Sequence, residues 1–157
     1  MASSLPPIPR LVFTVIEPIS LVAGFLAAVL DPAAFIEQQV PQKDPAGLTD
    51  GAISVALQLG NLYLLLGFCG LAVFLSTSEV KVVRSYLFAL WLGDIGHVAF
   101  SSYMLGADKL LRPVEWNAVT WGNIGFTIFL FTIRSLYFIG ALGPDRGAVA
   151  QRRQKTA

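Results

Sequence analysis

Asp94 and His97 stand three residues apart inside an otherwise apolar run, and Glu17 and Arg134 interrupt two other such runs. At that spacing a carboxyl and an imidazole share one helix face, one turn apart, where both can reach a single reacting centre. One can give a proton while the other takes one, which is the equipment of general acid/base catalysis. An ionisable group at the middle of a bilayer costs about 2.5–3.5 kcal/mol on insertion scales, so such groups turn towards a bundle interior or a wet cavity. We therefore expect Asp94, His97 and Glu17 to carry chemistry. Arg134 either pairs with Glu17 or extends towards the interface.

The same periodicity gathers further polar side chains. Trp91, Asp94, His97 and Ser101 follow steps of three, three and four, while Thr120, Asn123, Thr127 and Arg134 align along another run. Gln58 and Asn61 are one turn apart on a third. Asn61, Trp91, Ser101, Asn123 and Arg134 are the residues expected to line a substrate cleft. Gln58, Asn61 and Thr127 serve equally well as hydrogen-bonding groups between helices, and Gly60, Gly67, Gly70, Gly93, Gly96, Gly122 and Gly125 as surfaces for close packing. The order Asp94, His97, Ser101 contains the residue types of a hydrolytic triad, but Ser101 lacks a sharp strand-to-helix turn and an oxyanion hole, which disfavours serine hydrolysis. A single cysteine, Cys69, closes no intramolecular disulfide and reads as packing; a single histidine without metal-ligand spacing furnishes no zinc site. No metal and no cofactor is expected.

Four apolar runs must position these groups: 11–30, 52–75, 83–105 and 118–142. Each is long enough to cross the ~30 Å hydrocarbon layer as a helix, and none alternates as a membrane barrel strand does. The 157 residues are 55% apolar and 13% charged, with a mean hydropathy of +0.66. An ordinary soluble domain is about 25% charged and is excluded. A net charge of +1 offers no basic face for a nucleic acid. The first run is too long for a signal peptide and is interrupted by Glu17 and Pro18, so a retained helix is expected. The predicted fold is all-α, a single integral membrane four-helix bundle with a tail over 143–157. In the long connection 31–51, the piece 33–40 suits a short amphipathic helix capping one end. The short connections 76–81 and 106–115 require antiparallel neighbours. By the ~1.5 Å rise per residue, Glu17 and Arg134 lie roughly 10 Å below one membrane face, Asp94 near the midplane and His97 a turn deeper. Tyr103, Trp116 and Trp121 belong to the aromatic belt at the far face.

The Glu17-Pro18 pair and the Gly93-Asp94-Ile95-Gly96-His97 run resemble small fungal four-helix integral membrane proteins encountered with polyketide and terpenoid biosynthesis genes. The resemblance extends over 9–142. Some members are assigned to epoxide opening, so it implies a membrane-bound epoxide hydrolase or cyclase acting on a lipophilic polyketide or meroterpenoid. An epoxidising monooxygenase is an implied pathway partner. A more distant similarity joins the chain to membrane terpene cyclases and sterol isomerases, which are longer. The alternative from another class is a noncatalytic assembly or small-molecule-binding membrane protein whose polar residues hold helices together.

Epoxide opening needs a donor at the ring oxygen and a base that activates water or a substrate hydroxyl. Asp94 can supply the acid and His97 the base, or the roles can be exchanged. Such a substrate reaches the site laterally from the bilayer. A terpene cyclase needs the same donor, with apolar and aromatic walls that exclude water.

Lys and Arg counts in the flanks set the orientation. Seven flank the runs on the side of both termini (Arg10, Lys81, Arg84, Arg146, Arg152, Arg153, Lys155), against three on the other (Lys43, Lys109, Arg112). Both termini are expected in the cytosol, with a multi-pass location in the endoplasmic reticulum as the default address of a eukaryotic membrane enzyme. Glycosylation acceptors engineered into 31–51 and 106–115 should therefore be modified in microsomes. Modification of an acceptor placed after Gly147 would reverse this orientation.

Overall fold

The computed structural model describes residues 4–40 and 48–145, and these are helical without any strand. Six helices follow one another: α1 (Pro7–Leu30), α2 (Pro32–Gln39), α3 (Asp50–Ser76), α4 (Val80–Leu105), α5 (Ala107–Leu110) and α6 (118–138). The expected runs are thus helical, with one difference. The fourth ends at Phe138, because Gly140 adopts a positive φ of 79° and turns the chain back before 142 is reached. The piece 33–40 forms α2. Lys43 and residues 146–157, which entered the orientation count, lie outside the described residues.

The helix starts carry their own signals. Asp31 Oδ1 accepts from Ala34 N at 3.0 Å with Pro32 in the first turn, and Thr49 Oγ1 accepts from Ala52 N at 3.1 Å. Asn117 caps α6 by accepting from Thr120 N at 2.8 Å, while its amide donates to the Gln38 carbonyl at 3.0 Å. One side chain therefore ends α2 and begins α6.

Two helices are not regular. α1 widens into a π-helical turn over Val12–Ile16 and α6 into another over Trp121–Phe126. The first has a covalent cause. Pro18 has no N–H to offer the Thr14 carbonyl four residues back, and its ring crowds that carbonyl. In the second, Gly122 and Gly125 provide the slack, and Thr127 Oγ1 donates to Gly122 O at 3.4 Å.

α1 packs along α3, and α4 along α6. At one end the two pairs close on a core of Leu5, Phe13, Phe74, Val83, Leu87, Leu130 and Tyr137. At the other end a smaller cluster, Ala28, Phe35 and Ala56, seats α2 on α1 and α3. α3 meets α4 near their short connection, where the Tyr86 hydroxyl donates to Leu66 O at 3.5 Å. Outward faces are apolar: Ile19 is 64% exposed, Val55 65%, Phe68 60% and Phe100 75%. By length and composition, α1 and α3 can cross a membrane.

Close approach of α1 and α3 depends on Gly60. A Cβ there would stand 3.0 Å from Ala28 Cβ and 3.3 Å from Val29 Cγ2, and Ala28 is fully buried. At Gly96 nothing lies within 4 Å. Gly60→Val should lower stability by about 1–3 kcal/mol through overpacking, read as a reduced melting midpoint in detergent. Gly96→Ala should hold or raise it; equal midpoints for the two variants would contradict this packing.

Candidate active site

Arg134 is fully buried, and its guanidinium is the meeting point of three helices. Its Nη1 donates to Asp94 Oδ2 of α4 at 2.5 Å, and its Nη2 donates to Glu17 Oε1 of α1 in a short charge-assisted contact. Glu17 and Asp94 are themselves about nine-tenths buried. Below the guanidinium lies the Phe13 ring, 5.2 Å from the guanidinium carbon to the ring centroid. That ring offers the buried cation a π face. Glu17 follows the π-helical turn of α1 directly, so the turn caused by Pro18 sets where this carboxyl points.

Two buried polar atoms of this cluster, Glu17 Oε2 and Arg134 Nε, have no hydrogen-bond partner among the described residues. Glu17 borders a cavity of about 30 Å³, shared with Phe13, Leu66, Gly70 and Tyr86. Such a volume suffices for one water molecule.

One turn along α4, His97 is half-buried and hydrogen-bonds a different helix, through Asn123. Asn123 sits inside the π-helical turn of α6 and donates from Nδ2 to Gln39 Oε1 of α2 at 2.6 Å. The chain His97, Asn123, Gln39 therefore links α4, α6 and α2. It ends at a buried amide nitrogen, Gln39 Nε2, with no partner among the described residues. Beside it lies a cavity of about 310 Å³ lined by Gln39, Phe100, Ser101, Thr120, Asn123 and Ile124. A second cavity of about 780 Å³ runs between α2 and α3 and shares Gln39, Val40 and Met104 with the first. Together they form a mostly apolar space with a few polar groups at one side, the usual make-up of a small-molecule site.

The model of the family DUF7704, a domain of unknown function, matches residues 2–144. The chain belongs to this family. No curated protein and no solved structure matches it.

In this DUF7704 chain the expected site residues fall into two groups and some outliers. Glu17, Asp94 and Arg134 come together. Asn123 and Ser101 lie in the wall of the smaller cavity, which His97 does not line. Asp94 and His97 share a helix face, but their partners differ: one is held by a guanidinium, the other by a carboxamide. Trp91 is a cross-brace rather than a wall of either cavity. Its indole N–H donates to Ser135 Oγ at 2.9 Å and its ring stacks on Phe131 at 5.3 Å. Asn61 is exposed on the outer face of α3, away from both groups. Cys69 is exposed too, so it does not serve the core. Among the described residues no three His, Cys, Asp or Glu side chains gather as a metal site.

Residue spacing did not reveal Phe13 or Gln39. Phe13 stands four residues before Glu17 on the same face, a visible signal for the guanidinium's seat. Gln39 lies in a connection, and its partnership with Asn123 spans 84 residues of sequence, where no local pattern reports it.

The stoichiometry of the cluster makes a sharp prediction. Arg134→Gln leaves two carboxyls facing each other, and should cost on the order of 3–5 kcal/mol as an uncompensated buried charge does. Glu17→Gln or Asp94→Asn alone leaves one cation with one anion and should be milder. The double variant strands the guanidinium and should be as damaging as Arg134→Gln. Monodisperse yield after detergent extraction measures the order; Arg134→Gln at wild-type yield would refute it.

Proposed function

We propose that the chain is a multi-pass four-helix membrane enzyme that opens an epoxide of a lipophilic polyketide or meroterpenoid by general acid/base catalysis. The observation that carries this reading is the pairing of two differently held proton carriers one turn apart on α4. Asp94 is bound to Arg134, and His97 is bound to Asn123, itself a residue of the smaller cavity's wall. Environments that hold two titratable groups apart are what assign one as acid and one as base.

One cation and two carboxyls make a buried set that is neutral only with a proton on one carboxyl. Asp94 gives that proton to the ring oxygen as the C–O bond breaks. His97 takes a proton from the attacking oxygen, either of water or of a hydroxyl on the substrate itself. Water yields a diol; an internal hydroxyl yields a cyclic ether. The proton then returns from His97 to Asp94, restoring both. The apolar part of the substrate occupies the larger cavity, whose walls are Phe35, Val55, Ala56, Leu59 and Met104. Its reacting end extends past Ser101 towards His97. Glu17 shares Arg134 and fixes the guanidinium on which Asp94 rests.

Several features support placement in a membrane: apolar outward faces on the long helices, two helices of spanning length, and ionisable side chains turned inward. The endoplasmic reticulum is the location we assign. A second reading has its own observation: Arg134 uses both carboxyls to bind α1, α4 and α6, as a noncatalytic clamp would.

Coexpression with epoxidised lipophilic precursors separates the readings. The enzyme reading expects a product that depends on this chain, heavier by one water for hydrolysis or of unchanged mass for cyclisation. Identical product profiles with and without the chain, across precursors that enter the membrane, would leave only the clamp.

A further inference from the structure

α3 carries polar groups where a lone membrane helix has no use for them. Ser54, Gln58, Asn61, Leu65, Phe68, Ala72 and Leu75 recur at alternating steps of four and three, and every one is exposed. Alternation of four and three is the seam of a left-handed helix pair, since 3.5 residues per turn keeps the row facing one neighbour. The opposite face is already used: Ala56, Gly60, Gly67, Gly70 and Phe74 are buried within the chain. At the seam's polar end Gln58 Nε2 reaches, among the described residues, only Ser54 Oγ, at 3.5 Å within the same helix. Asn61, eleven residues from the start of α3, is roughly 16 Å into the helix, where lipid offers its amide no partner.

We infer that this seam is the contact between two copies of the chain, α3 against α3 of a second copy in parallel. A carboxamide carries both donors and an acceptor, so it is complementary to itself. A two-fold axis along the membrane normal places each residue opposite its own copy at the same depth, so that Asn61 meets Asn61 and Gln58 lies beside it. A polar residue at one level of an apolar seam also fixes register and copy number. Further along, Leu65, Phe68 and Leu75, between 51% and 68% exposed, supply the apolar part of the contact. The inference rests on the membrane placement proposed above and is independent of the chemistry.

Disulfide trapping tests it. In a Cys69→Ser background, Leu75→Cys places a thiol on the seam at the end of α3, and Leu11→Cys places one on α1 at the same end of the fold. Oxidation of isolated membranes should convert Leu75→Cys to a band of twice the mass and leave Leu11→Cys monomeric. Adding Gln58→Leu and Asn61→Leu to Leu75→Cys should lower the trapped fraction about threefold or more, the scale of interhelical polar contacts. A monomeric Leu75→Cys, an adduct of any other mass, or trapping indifferent to the two leucines would overturn the inference. A carbonate wash of the same membranes separates the two failures. Release of the chain removes the membrane placement and the pairing with it, whereas retention with a monomeric Leu75→Cys removes the pairing alone.

Discussion

One buried guanidinium holding two carboxyls is the constraint around which this fold is arranged. A charge removed from water must be matched by counter-charge and hydrogen bonds, or it costs several kcal/mol. Arg134 is therefore tolerable only if α1 and α4 bring Glu17 and Asp94 to it together. The requirement fixes the relative rotation of α1, α4 and α6 more strictly than apolar side chains do, because Leu and Phe pack acceptably over a range of angles. The core of Leu5, Phe13, Phe74, Val83, Leu87, Leu130 and Tyr137 closes this end of the fold, with Phe13 seating the guanidinium. The two larger cavities lie at the other end, beside α2.

Both departures from regular helix serve that arrangement. A π-helical turn adds a residue to one turn and rotates the remainder of the helix, and such turns are found disproportionately at functional positions. In α1 the turn precedes Glu17, and in α6 it contains Asn123. Each thus re-aims one side chain of the two polar groups. The same amide that receives His97 is anchored to Gln39, so α2 contributes to the site although it lies outside the four long helices.

Much of this was legible in the sequence, for a physical reason. Apolar runs of spanning length report helices because backbone groups in an apolar medium must pair locally. The matched depth of Glu17 and Arg134 followed from counting residues along those helices. Rotation was harder to read. Asn61 and Trp91 share the periodicity of interior residues, yet one faces outward and the other braces α4 to α6. A period of 3.6 tells which residues share a face but not what the face meets, and π-helical turns shift the period midway. For the same reason Asp94 joined the pair of Glu17 and Arg134 unannounced: three charges converge here from residues 40 and 117 positions apart from Arg134.

Acid catalysis by Asp94 is measured most directly as turnover per folded molecule for Asp94→Asn beside wild type, on the epoxidised lipophilic precursors of the coexpression. Asn keeps the size and a hydrogen bond to Arg134 but cannot release a proton. With Asp94 as the acid, folded protein is expected in amounts near wild type and a rate at least about 100-fold lower, the scale of a lost general acid. Turnover within a few-fold of wild type, with the same folded amount, would contradict it and leave the cluster a structural clamp.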